Sequence, residues 1–184
     1  MKHLIYTTFA FLLLIGNSLS AQSTTPTAES FGNTLNLGVG VGYYGYVGSA
    51  MPALSANYEF NVARNFTLAP FITYTTYRKY NRWQNENYYY RQSVVPMGIK
   101  GTYYFDRLLH AGSRWDFYLA GSLGFALRTT RWQDGYYGDP VVERGTSGLY
   151  LDGHIGAEFH ASQQVGLFLD LSTGISLFGL AIHF

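Results

Sequence analysis

Six ionisable residues stand in stretches where apolar and polar residues alternate, and all six belong to the polar set. They are Glu59, Lys100, Asp152, His154, Glu158 and Asp170. If these stretches enclose an interior, the six side chains point inward. Four of them then reach a similar depth: Glu59, Lys100, His154 and Asp170. An isolated buried ion is very costly to desolvate, so these charges must be paired. We expect a salt-bridged cluster that fills the interior, with a proton or ion path as the alternative.

The nucleophiles and bases of the chain form no recognisable catalytic set. The sequence contains no cysteine and five histidines. His3 precedes an apolar N-terminal run, and His110, His160 and His183 fall at expected turns or strand ends. His154 points inward, but no serine, histidine and aspartate that share a face and a level can be combined into a triad. The histidines and carboxylates also lack a recognised metal-ligand spacing. The sequence therefore predicts no catalytic residue, no metal and no cofactor.

A repeated Arg-Trp-Gln motif followed by tyrosines marks two long segments of the chain, 78–92 and 129–147. Its aromatic and basic members are Arg82, Trp83, Tyr88, Tyr89 and Tyr90 in the first, and Arg131, Trp132, Tyr136 and Tyr137 in the second. Trp, Tyr and Arg are the residue types that anchor binding hot spots, and aromatic rings also stack on sugars. These residues are candidates for recognition, and the alternative is an aromatic girdle with packing of one loop on the other.

The elements that position these residues are strands, because successive side chains of a strand point to opposite faces. The first stretch alternates apolar residues with small or polar ones: Leu35, Leu37, Val39 and Val41 against Asn36, Gly38, Gly40 and Gly42. Similar stretches begin near residues 54, 66, 95, 117, 149, 165 and 178. The sequence therefore predicts an all-β fold of eight strands.

Two eight-stranded barrels fit this pattern, a soluble lipocalin-like periplasmic barrel with an apolar interior and a membrane barrel with an apolar exterior. The non-apolar face consists of Gly, Ala, Ser, Thr and Asn, which suits the narrow interior of an eight-stranded barrel. The apolar face is continuous and tipped with aromatic residues, as in a lipid-facing band between aromatic girdles. Only 12% of the residues are charged, about half the usual share of a soluble domain. We therefore favour an antiparallel up-and-down transmembrane β-barrel.

The connection lengths predict how this barrel is oriented. Links on one side are short or moderate: 63–65, 106–114 and 161–164. Links on the other side are 48–52, 78–92, 129–147 and 172–175, of which the middle two are long. Short periplasmic turns and longer outside loops place both termini in the periplasm. Pro70 and Pro96 fall inside strands and remove ladder donors, so we expect a bulge or a strand end near each.

The N-terminal residues have the pattern of an export signal. Lys2 and His3 precede an apolar run from Leu4 to Gly16, and small residues follow as far as Ala21. This is typical of a cleavable secretory signal peptide, and the run is shorter than the roughly 20 residues of a membrane-spanning helix. The predicted organisation is a signal peptide at 1–21, a flexible Ser/Thr/Pro-rich lead-in at 22–32 and a barrel at 33–184.

The C-terminal residues carry a resemblance to a known family. The ending has apolar residues at alternate positions: Phe178, Leu180, Ile182 and the terminal Phe184. It resembles the C-terminal signal of Gram-negative outer-membrane barrels, which the assembly machinery reads. The segment 96–105 is similar to a strand of the outer membrane protein beta-barrel domain family, which comprises small OmpA- and OmpX-like barrels. The resemblance implies an outer-membrane location, with lipid, lipopolysaccharide and the barrel assembly machinery as partners, but it implies no activity.

We therefore expect a non-enzymatic outer-membrane barrel with a plugged polar lumen, which has a structural role or binds an extracellular ligand through its two long loops. The alternatives are a small pore or gated transport through the lumen and a lipid A modifying enzyme. Nucleic acid is excluded as a partner, because 12 Lys+Arg against 11 Asp+Glu give no bulk attraction for phosphates.

Overall fold

The computed structural model describes residues 33–42, 51–83, 86–105, 114–132, 134, 145–146 and 149–184. The predicted signal peptide and lead-in lie outside these residues. Within the described part, no helix is long and apolar enough to cross a bilayer.

Antiparallel strands account for nearly all of the described chain. They are β1 (Thr34–Gly42), β2 (Met51–Ala63), β3 (Phe66–Trp83), β4 (Glu86–Tyr104), β5 (Trp115–Trp132), β6 (Gly145–Thr146), β7 (Tyr150–His160), β8 (Val165–Ser172) and β9 (Ile175–His183). Each of the eight long strands pairs with the long strands before and after it in the chain, so that β7 pairs with β5, and the pairings β1–β9 and β4–β5 close the sheet. The two-residue β6 pairs with β5 beyond the point where β7 begins. The fold is thus a closed eight-stranded barrel, as predicted.

The apolar residues of the strands face outward. Leu37, Ile99 and Leu169 are 43%, 45% and 49% exposed, whereas Thr67 and Thr102 on the opposite face are buried. This arrangement confirms the membrane-barrel prediction and contradicts the lipocalin-like alternative, which requires an apolar interior.

The link segments agree with the predicted topology at some places and correct it at others. Asn65 turns the chain between β2 and β3 with a left-handed φ of 59°, and the β8–β9 link is equally tight. The segment 78–92, expected to be a loop, instead continues β3 and β4 as paired strands up to Trp83↔Glu86. The first residues of the second expected loop likewise belong to β5. Strands β3, β4 and β5 extend beyond the apolar band because backbone pairing does not depend on an apolar environment.

The two strand prolines cause neither a bulge nor a strand end, so that expectation is wrong. The β2–β3 register is the same on both sides of Pro70, where the ladder omits only the pairs of Tyr58 and Glu59. The β3–β4 register is likewise unchanged across Pro96. Each proline keeps its partner in the strand on its other side. The missing N–H therefore interrupts one ladder locally without moving the strands.

Candidate functional site

A network of charged and polar side chains crosses the lumen from β4 to β8. Lys100 Nζ lies 2.5 Å from Asp170 Oδ2, and the Tyr118 hydroxyl donates to the same oxygen at 3.2 Å. The ammonium group also stands 5.1 Å from the centroid of the Tyr118 ring. Asp170 is almost completely buried, so the ion pair is shielded from water and is correspondingly strong once formed.

His154 joins this network to β5. Its Nδ1 lies 2.8 Å from Asp170 Oδ1, and its Nε2 lies 2.9 Å from Ser122 Oγ. This is the hydrogen-bond order of a nucleophile, a base and an orienting carboxylate. The expectation that no such set can be assembled is therefore wrong in its geometry.

Two features distinguish the Ser122–His154–Asp170 chain from a hydrolytic triad. In a triad the carboxylate stabilises the imidazolium that forms during the reaction. Here Asp170 is already paired with Lys100, so a protonated His154 would add a second cation to one carboxylate. Ser122 itself is only 5% exposed. An open groove of about 520 Å³ passes beside this serine between β5, β7 and the β8–β9 turn.

Glu59 is the acceptor of a second group of hydrogen bonds, which meets the lysine network where the rings of Tyr104 and Tyr118 contact each other. Its carboxylate accepts hydrogen bonds from Tyr104 at 2.7 Å, Thr67 at 3.0 Å and Asn36 at 3.2 Å. Both networks line a cavity of about 10 Å³, which is the space of roughly one water molecule. The sequence placed Glu59 at the depth of Lys100, but the register directs its side chain to neutral donors.

Asp152 holds the β8–β9 turn, and its Oδ2 lies 3.8 Å from His154 Nε2 of the lysine network. Its carboxylate accepts backbone hydrogen bonds from Gly174 at 2.8 Å and Ile175 at 3.2 Å. The hydroxyls of Ser172 and Thr173 also donate to it, at 3.0 Å and 2.7 Å. Glu158 points to the other end of the barrel, where it meets His183 at 2.7 Å.

The hairpin formed by β3 and β4 carries a row of arginines on its outer face. Arg78 pairs in register with Arg91, which pairs with Arg131 on β5, and all three are exposed. The guanidinium of Arg78 lies over the Tyr89 ring, 5.1 Å from its centroid. We call Arg78, Arg91 and Arg131 the arginine row.

The residues beneath the arginine row change from hydroxyl-bearing to apolar. Thr76, Ser93 and Thr129 form the next register level, and exposed Tyr74 and Leu127 follow in the level below. The outer wall therefore passes from apolar through hydroxyl to cationic side chains within a few residues, as expected where a bilayer meets water.

Some of the remaining motif residues lie within the described part of the chain, and others lie outside it. The rings of Tyr90 and Trp132 contact each other at a tilt of 40°, with centroids 4.8 Å apart. Arg82 and Trp83 belong to β3 and Tyr88 to β4, whereas Tyr136 and Tyr137 lie outside the described residues.

Comparison with solved structures places this geometry among small bacterial barrels. Ail, the attachment invasion locus protein of Yersinia pestis, is 9% identical, with a TM-score of 0.54 over 84% of this chain and all of Ail. Neisserial surface protein A is 11% identical, with a TM-score of 0.50 over 83% of this chain and 96% of that protein. No protein-family model and no curated protein matches the sequence.

The chain thus has the fold of the small eight-stranded outer-membrane β-barrels. At these low identities the similarity concerns the fold alone. It confirms, for the fold, the resemblance noted in the sequence.

Proposed function

We propose that this protein is a non-enzymatic outer-membrane barrel that binds anionic groups through the arginine row. Three like charges on adjacent strands repel one another unless an anion lies among them. Arginine presents a rigid fork of donors that matches phosphate and related oxyanions. The arginine row is the observation that carries this proposal.

The position of the arginine row and the shape of the barrel limit the class of anion that can bind. The row follows directly on the hydroxyl level at the edge of the apolar band, where lipid headgroups meet water. The phosphates of lipopolysaccharide and an extracellular sulfated polysaccharide both offer the required anions at this level. The structure of Ail is described in complex with the heparin analogue sucrose octasulfate, which supports a polyanion as ligand for a barrel of this shape. Tyr89 adds an aromatic face beside Arg78 on which a sugar ring can stack.

The test compares two double variants with the same change in charge. Arg91→Gln/Arg131→Gln removes two members of the arginine row, and Arg64→Gln/Arg114→Gln removes two arginines at the opposite end of strands β3 and β5. Binding of sucrose octasulfate to the detergent-folded barrel is measured by calorimetry. A second arm measures binding to vesicles with and without lipopolysaccharide. Since a charge-assisted hydrogen bond contributes about 1.5–3 kcal/mol, the first variant should bind the preferred anion at least about tenfold more weakly. Equal affinity of the two variants in both arms would refute the proposal.

We further propose that the hairpin end faces outside and that both termini lie in the periplasm. The hairpin of β3 and β4 is the longest in the described chain, whereas Thr34 and His183 pair at the opposite end. Because the sequence has no cysteine, single cysteines give a clean readout. A membrane-impermeant maleimide should label Asn87→Cys but not Asn65→Cys on intact cells, and the reverse pattern would overturn this orientation.

The C-terminal strand supports a role in assembly. Phe178 and Leu180 are exposed on the outer face and Phe184 is 76% exposed, with Ile182 in the same row. We propose that this row is the signal read by the barrel assembly machinery. Phe184→Ala should then slow insertion into the membrane in cells, without lowering the stability of barrel refolded in detergent.

Transport through the lumen is the second candidate, and the packing of the lumen opposes it. The Lys100–Asp170 pair bridges the interior beside a cavity of about 10 Å³. The folded barrel should therefore show no conductance in planar bilayers, and steady channel currents would favour this candidate instead.

A further inference from the structure

Three potential metal ligands meet at the end of the barrel that holds both termini. Glu158 and His160 stand on β7, and His183 stands on β9. One donor atom from each of the three lies within 4.8 Å of the other two. His183 Nε2 is 2.7 Å from Glu158 Oε1, and His160 Nδ1 is 3.9 Å from the same oxygen. Ligands of a tetrahedral zinc ion stand about 3.3 Å apart, given metal–ligand bonds of about 2.0–2.2 Å. Small side-chain movements therefore suffice for coordination.

The nitrogen that each histidine does not offer to this centre is already held by another side chain. His160 Nε2 lies 2.7 Å from Asp116 Oδ2, and His183 Nδ1 lies 3.0 Å from Thr34 Oγ1. A ligating histidine almost always donates its second N–H to a carboxylate or another oxygen, which fixes its orientation and tautomer. When the outer nitrogens carry the protons, the inner nitrogens can offer their lone pairs to an ion, which then replaces the present hydrogen bond between His183 Nε2 and Glu158 Oε1.

A glycine makes the meeting of these residues sterically feasible. Strand β8 lies between β7 and β9, and its residue at this level is Gly166, which pairs with both His160 and Ala181. A Cβ atom at Gly166 would stand 2.0 Å from Glu158 Oε1. The missing side chain thus leaves the space through which Glu158 reaches across β8 toward His183.

We propose that Glu158, His160 and His183 form a binding site for a divalent transition metal, with Zn²⁺ as the best fit. Two imidazoles and one carboxylate are a ligand set that zinc takes together with a water molecule in an open fourth position. Mg²⁺ and Ca²⁺ prefer oxygen ligands alone. The two histidine side chains are 24% and 17% exposed, so an ion can enter from the solvent at this end of the barrel. The sequence-based expectation of no metal considered spacing along the chain, whereas here the strand order brings the ligands together.

The experiment uses the untagged mature chain folded in detergent. Zn²⁺ is titrated in competition with a chromogenic chelator, and Co²⁺ is added in parallel because its visible absorption reports tetrahedral coordination. Wild type should bind one ion and give the Co²⁺ spectrum. His160→Ala/His183→Ala should lose at least 100-fold in affinity, while His154→Gln, a change to another histidine of β7, should bind as wild type does. Heat-dependent gel mobility verifies that each variant is folded.

Two further variants keep the proposal testable if the histidine variant does not fold. Asp116→Asn retains all three ligands and should weaken binding about 10–100-fold. Gly166→Ala should displace the Glu158 carboxylate and weaken binding, whereas Gly153→Ala, where an added Cβ meets nothing within 4 Å, should not. Absence of stoichiometric Zn²⁺ binding to wild type, or binding that none of these changes weakens, would overturn the proposal.

Discussion

The stability of the barrel should be most sensitive to substitutions that break the ion pair between Lys100 and Asp170. Their side chains are 8% and 1% exposed, and after Lys100→Met the buried carboxylate loses its ammonium partner but keeps its contacts with the Tyr118 hydroxyl and His154 Nδ1. Removing one member of a buried ion pair costs about 3–5 kcal/mol, because the remaining charge is left without compensation. Lys100→Met should therefore lower the free energy of unfolding by about that amount.

The double variant Lys100→Met/Asp170→Asn separates this effect from simple loss of packing. It removes both charges and retains an amide that can hydrogen-bond, so it should be more stable than Lys100→Met alone. The control is Arg64→Met, which also replaces a cation by methionine, but at an exposed position of the β2–β3 turn. It should alter stability by less than about 0.5 kcal/mol, as is usual for surface substitutions.

The assay is equilibrium unfolding in urea of barrels inserted in lipid vesicles, followed by tryptophan fluorescence and by gel mobility. The reasoning is refuted if Lys100→Met stays within about 1 kcal/mol of wild type, since a cost that small is below the range for an uncompensated buried charge. It is equally refuted if the double variant is the least stable of the set.

Three further predictions concern the wall, the turn and the buried serine. Gly98→Ala should destabilise the barrel by about 3 kcal/mol through overpacking, because its Cβ would lie 2.1 Å from the Leu123 carbonyl oxygen. The control is Gly121→Ala, whose Cβ would meet nothing within 4 Å. It should be tolerated in the same urea assay. Asp152→Ala should cost about 1–3 kcal/mol, since the amides of Gly174 and Ile175 keep only Ser172 Oγ as an acceptor and two hydroxyls lose theirs; hydrogen exchange at the β8–β9 turn should accelerate. A fluorophosphonate probe should not label the folded barrel, and labelling that disappears in Ser122→Ala would show that the serine is a nucleophile.

The barrel wall could be predicted because its pattern has a period of two and admits one consistent assignment. A shift by one residue would turn Leu37 and Val39 into a lumen that holds Thr and Asn, and would turn Glu59 toward lipid. Each such exchange is unfavourable, so the faces follow from residue types alone. The extension of β3 and β4 was missed for a physical reason. Polar and aromatic residues indicate where the bilayer ends, but they do not stop a hairpin whose backbone bonds are satisfied by its partner strand.

The candidate sites depend on information that residue types do not contain. His154 was expected at the depth of Asp170, and its link to Ser122 requires the β5–β7 register. The approach of Glu158 to His183 requires that β8 lie between their strands and that its residue at that level be a glycine. Alternation predicts which side chains point inward, whereas contacts across the lumen are set by strand order, register and the volume of the intervening residue.

The filled lumen has a consequence for where function can reside. Lys100, Asp170 and His154 form direct contacts across the interior, and the cavity beside them has room for about one water molecule. A ligand that entered would have to separate charges in a medium where unpaired ions are very costly. The outer faces of the two ends are free of this cost, since the arginine row on the hairpin and the imidazoles of His160 and His183 are in contact with solvent. Binding at one end and metal coordination at the other are therefore compatible with a rigid barrel. Substitutions at either end should leave the contribution of the Lys100–Asp170 pair to the free energy of unfolding nearly unchanged.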